Sequence, residues 1–142
     1  MNDAPSDRGV ATARLRVEQL ERLATSHPAE FTADLAWAWS AVSNEFGRID
    51  ACKVAVAVLD RRIDAGEATA QEVCDLPLHI NNLAAALTDD GQLHLAAVIA
   101  VRAVEAHDAA VESRAEPGRD PDWVRESLLA DTVALAQRLG QP

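Results

Sequence analysis

The chain has 142 residues, enough for one domain with a real core, and 49% are apolar, yet only Phe31, Trp37, Trp39, Phe46 and Trp123 are aromatic. A core made mostly of alanine, valine and leucine suits closely approaching helices and argues against a β-sandwich. The net charge of −10 argues against nucleic acid and anionic membrane as partners, because both need a basic face.

In chain order, "MNDAPSDRG" (1–9) is polar and has no apolar signal core, so it is expected to be a disordered tail ahead of a single domain at 10–140. No run approaches the roughly 18 apolar residues that span a bilayer. Cys52 and Cys74 have neither metal-ligand nor CxxC spacing and make no disulfide framework. These features together predict a cytoplasmic protein. The first helix is predicted over Val10 to Ser26, with Leu15, Gln19 and Leu23 on one face and Leu20 beside them. Pro28 is expected to end it, and Thr32 to cap a second helix carrying Leu35, Trp39, Val42 and Phe46 at i, i+4, i+7 and i+11. Gly47 closes that helix.

"RIDACKVAVAVLDRRIDAG" is ambiguous, since "VAVAV" alternates as a strand would. Against a strand, Arg48 to Ala65 runs without Gly or Pro, and Ile49, Cys52, Val56, Leu59 and Ile63 share a helical stripe; a helix is predicted. "GEATAQEVCDLP" reads as a linker, with Asp75 capping the fourth helix and Pro77 in its first turn. Ile80, Leu83 and Leu87 form the face of that helix, and "DDG" ends it at Gly91. A fifth helix over Gln92 to Arg114 and a sixth from about Asp122 to Gly140 complete the chain.

The pattern repeats. With Gly47 set over Gly91, an offset of 44, Ile49 falls on Leu93, Cys52 on Ala96, Val56 on Ala100 and Leu59 on Ala103. Before the glycine, Ala36 falls on Ile80 and Trp39 on Leu83. A fainter copy at an offset of 93 sets Leu35 on Leu128, Val42 on Leu135 and Phe46 on Leu139. A fixed period of this kind marks stacked helical units. Cys52 and Ala96 lie just past the bend of a hairpin, where close helices need small residues, so Cys52 reads as packing rather than as a nucleophile.

"NNLAAALTDDGQLHLAAVIAVRAVEAHDAAV" resembles a tetratricopeptide repeat, closest to the longer repeats of kinesin light chains and of related proteins in high-GC bacteria. "LATSHPAEFTADLAWAWSAVSNEFGR" is similar to the inter-repeat segment and first helix of that type. The likeness runs over about 15–140, best at 81–107 and weakest at 121–140. Trp39 and Ser43 depart from the family pattern, and Thr32 and Ala33 stand where a proline is usual. The resemblance implies an all-α fold: six helices as antiparallel hairpins in a short right-handed solenoid, TPR-like, whose first helices line a concave groove for a partner peptide. It places Asp34, Trp37, Ala41, Asn44 and Glu45 on one wall and Leu78, Asn81, Asn82, Ala85 and Asp89 on the other.

Asn81 and Asn82 match the paired asparagines of the family motif, one of which commonly bonds a peptide backbone. An amide offers donor and acceptor together, while two asparagines compete with the backbone inside a helix. Contact with a peptide and bonding to a neighbouring helix both account for them. Trp37 and Trp39, two residues apart, cannot share a face. Trp39 lies on the core stripe, and Trp37 is either a binding anchor or packing. Trp123 either covers the end of the stack or faces a partner.

No catalytic residue, cofactor site or metal site is expected, and no enzyme activity: His27, His79, His94 and His107 are scattered, and no GxSxG, HExxH or phosphate loop occurs. From Arg62 to Arg102 no Lys or Arg intervenes, while Asp64, Glu67, Glu72, Asp75, Asp89 and Asp90 do. That stretch serves either a cationic partner or solubility. The sequence therefore points to a protein-interaction or adaptor module for another protein or peptide, favouring a basic segment, with self-association as a second mode. The alternatives are a small-molecule binder or enzyme with a pocket between the first helices, and a self-assembling structural protein.

Overall fold

The computed structural model describes the backbone of residues 5–41, 47–113 and 121–140, with side chains from residue 12 onward. The described residues form α1 Pro5–Ser26, α2 Pro28–Ala41, α3 Arg48–Asp64, α4 Ala70–Asp89, α5 Leu93–Glu112 and α6 Pro121–Leu139. No strand occurs among them. Each helix packs on the next, and α2 also packs on α4, as in a short helical solenoid. Part of the tail expected at 1–9 lies outside the described residues; the backbone is helical from Pro5, ahead of the expected Val10.

"VAVAV" lies inside α3. Ala51, Cys52, Ala55, Val56 and Leu59 are buried while Lys53 and Ala57 are exposed, which is the 3.6-residue period rather than alternation. The repeat in sequence is a repeat in burial. Cys52 and Ala96 are 2% and 0% exposed, Val56 and Ala100 4% and 1%, and Leu59 and Ala103 both 0%. The alanines of α5 let it lie close on α4, whose Leu83, Ala84 and Leu87 join Cys52, Ala96, Ala100 and Leu135 in one cluster. A second cluster draws Ala36, Leu59, Ile80, Ala103 and Leu128 from α2 to α6. A third, with Val17, Leu20, Leu35 and Ala38, belongs to α1 and α2. Burying a side chain such as Leu59 contributes about 2 kcal/mol.

Two helix starts differ from expectation. Pro28 opens α2 instead of merely ending α1; only His27 separates the two. Its missing N–H costs nothing in a first turn. Thr32 is no cap: it is buried one turn into α2, where its hydroxyl donates to the Pro28 carbonyl at 2.6 Å. Nor does Asp75 cap α4. Thr69 does, accepting from the Glu72 N–H at 3.2 Å while the Glu72 carboxylate accepts from the Thr69 N–H at 2.9 Å. This capping box satisfies two helix-end donors at once. The expected linker is therefore helical from Ala70, and Pro77 sits inside α4, where it removes one helical N–H. At the end of α4, Gly91 takes φ 82°, and Gln92 N–H reaches the Leu87 carbonyl at 2.9 Å, closing the helix on a left-handed residue.

Candidate functional site

Two seams between first-type helices hold the chemistry. The α4–α6 seam is open. A groove of about 250 Å³ lies between Asn81, Ala84, Ala85, Thr88 and Asp89 of α4 and Asp131, Ala134, Leu135 and Arg138 of α6. Alanines make its floor low, and polar groups stand at its edge. The Asn81 amide crosses it, donating to Asp131 Oδ2 at 3.0 Å. Asp89 is exposed at one end and forms an ion pair with Arg48 of α3.

The α2–α4 seam is closed and polar. Glu72, Asp75 and His79 of α4 are each 0% exposed. The Trp37 indole N–H donates to Asp75 Oδ2 at 3.0 Å, and Gln71 donates to Asp75 Oδ1 at 2.8 Å. The same indole lies on the His79 ring with centroids 4.1 Å apart. Ser40 Oγ and His79 Nδ1 share a hydrogen bond of 2.9 Å. His79 Nε2 is buried without a partner, a condition that costs about 1–3 kcal/mol. Burial holds the imidazole neutral, with its pKa lowered to about 4.

Glu72 is placed differently. Arg62 of α3 grips it through Nε at 2.5 Å and Nη2 at 3.0 Å. Burial pushes its carboxyl up, but the bonds from Arg62 and Thr69 outweigh burial, and its pKa lies below the ordinary value. The bond to Glu72 likewise raises Arg62. Burial raises the Cys52 thiol, which suits a packing residue and not a nucleophile.

Of the residues expected to meet a partner, Asn81 and Asp89 come together in the α4–α6 groove with Ala85. Asp34 is exposed on α2 but lines neither seam. Trp37 is half-buried and committed to Asp75 and His79, so it packs α2 on α4. Leu78 is half-buried against the central cluster. Asn82 is half-buried and is not part of the groove wall. Asn44 and Glu45 lie outside the described residues. Trp123 is 63% exposed. The acidic stretch divides: Glu72 and Asp75 are inside, while Asp64, Glu67, Asp89 and Asp90 face solvent.

Asp131, Ala134 and Arg138 were not anticipated. The offset of 93 that pairs Leu35 with Leu128 also carries Ala41 onto Ala134 and Glu45 onto Arg138, whereas Asp131 falls on buried Ala38, so the repeat signals Ala134 and Arg138 and not Asp131. Among the described residues, no group of three or more His, Cys, Asp or Glu is placed to hold a metal ion, and no helix is long and apolar enough to cross a membrane. No family model, curated protein or solved structure significantly matches the chain.

Proposed function

We propose that this chain is a protein-recognition module, TPR-like in its repeats and cytoplasmic in setting, that takes a basic segment of a partner protein in the α4–α6 groove. One observation supports it above the others: an open trough with an alanine floor, edged by the Asn81 amide, by the carboxylates of Asp131 and of Asp89, the latter paired with Arg48, and by Arg138. An alanine floor admits a backbone, and an amide supplies both donor and acceptor to it. The carboxylates suit Arg or Lys, in a chain whose net charge is −10. An open trough fits an extended segment better than it fits a small molecule, whose sites enclose most of the ligand's surface.

The test is fluorescence anisotropy with labelled Arg- and Lys-rich peptides against acidic peptides of equal length. Basic peptides are expected to bind more tightly, with affinity falling as salt rises, and Asp131→Lys is expected to weaken binding about tenfold or more. Equal binding of acidic and basic peptides, or basic-peptide binding untouched by both Asp131→Lys and Asn81→Ala, would refute the proposal.

A further inference from the structure

The α1–α2 hairpin has a small core of Val17, Leu20, Leu35 and Ala38, against which Val58 of α3 also packs. The cluster around Cys52, Leu83, Ala96 and Leu135 draws on α3 to α6 and takes nothing buried from α1 or α2. In the central cluster α2 supplies one buried residue, Ala36, beside half-buried Trp39. What else fastens α2 to α4 is polar, and His79 is at its centre, bonded to Ser40 and in tilted ring contact with Trp37.

A neutral imidazole fits this place at the cost of one orphaned nitrogen. A protonated ring carries N–H on both nitrogens, and Nε2, already buried without a partner, would then bear a charged donor with nothing to accept it. None of the neighbouring groups hydrogen-bonds Nε2. From α2 the facing groups are Trp37 and Ser40, and its acids, Glu30 and Asp34, are exposed. From α3 comes Arg62, which is held by Glu72. On α4 itself Asp75 accepts from Trp37 and Gln71. From α5, buried His107 bonds the Pro121 carbonyl through Nε2 at 2.9 Å.

We propose that His79 is an acid-sensitive latch, whose protonation loosens the α1–α2 hairpin from α4, leaving its packing on α3, while α3–α6 stays folded. The open form takes its proton at the ordinary imidazole value, about 6.5. The closed form resists until about 4. The closed state therefore has its full advantage above the open-state value and loses it as pH falls through the interval between them. From pH 7 to pH 5 the ratio of open to closed hairpin is expected to rise about twenty-fold.

Hydrogen exchange of the whole chain by mass spectrometry, at pH 7 and pH 5 and corrected for intrinsic rates, tests this. Amides of α2 should lose about twenty-fold in protection while those of α4 and α5 keep theirs. His79→Phe, which keeps a ring on Trp37, and His79→Gln, uncharged at both pH values, should each abolish the loss. An equal loss across α2, α4 and α5, no loss at all, or a loss that survives in whichever variant folds would overturn the latch.

Discussion

The α2–α4 and α4–α6 seams start from the same plan and end differently. Trp37 and Asn81 stand 44 residues apart, in the same place in their helices, and each donates an N–H at 3.0 Å to a carboxylate on the next first-type helix, Asp75 or Asp131. In the first seam the indole is large enough to cover His79, and the space is filled. In the second a short amide stands among Ala84, Ala85 and Ala134, and a groove of about 250 Å³ remains. The helix pairs differ in approach as well as in side chains: α2 packs on α4, while α4 and α6 stand further apart, so spacing together with side-chain volume at equivalent positions decides whether a seam becomes structure or surface. Of the two roles open to Trp37 in the sequence, anchor or packing, its place in the filled seam fits packing, while Asn81 stands at the open edge.

The buried ion pair that joins α3 to the start of α4, beside the filled seam, should be the costliest contact to break. Arg62→Ala leaves Glu72 buried and uncompensated and is expected to lower stability by about 3–5 kcal/mol in urea denaturation at pH 7. Replacing both partners with methionine should recover much of that loss, since no buried charge is left alone. If Arg62→Ala costs no more than an exposed ion pair, the Glu72 site is wetter than its 0% exposure implies.

The small-residue contacts of α5 come next. Ala96→Leu pushes a larger side chain against Cys52, Leu83 and Leu87 and should cost about 1–3 kcal/mol, read by the same denaturation. A neutral result would mean that α4 and α5 are not in close approach there.

The helices were legible because the repeated residues, Cys52 with Ala96 and Leu59 with Ala103, mark one buried stripe on each of α3 and α5. The start of α4 was misplaced although Thr69-x-x-Glu72 was readable as a capping box; Pro77 drew attention to a later start. The polar seam was hidden for a physical reason. Glu72, Asp75 and His79 recur at i, i+3 and i+7 beside Leu76 and Leu83, which puts them on the core side of α4. Charge alone suggested an acidic face, and only the partners on other helices, Arg62, Trp37 and Ser40, make burial affordable.

Stability of His79→Leu at pH 7 tests the equivalence most directly. Leu35 and Leu128 occupy the matching places in α2 and α6, 7% and 2% exposed against 0% for His79. If position 79 is a packing site of the shared plan, the leucine removes an orphaned nitrogen and fills the same space. The chain should then fold and keep its stability to within about 1 kcal/mol. A loss beyond about 3 kcal/mol, the scale of a buried large-to-small cavity, would contradict the account. It would mean that position 79 is not an interchangeable packing site of the shared plan.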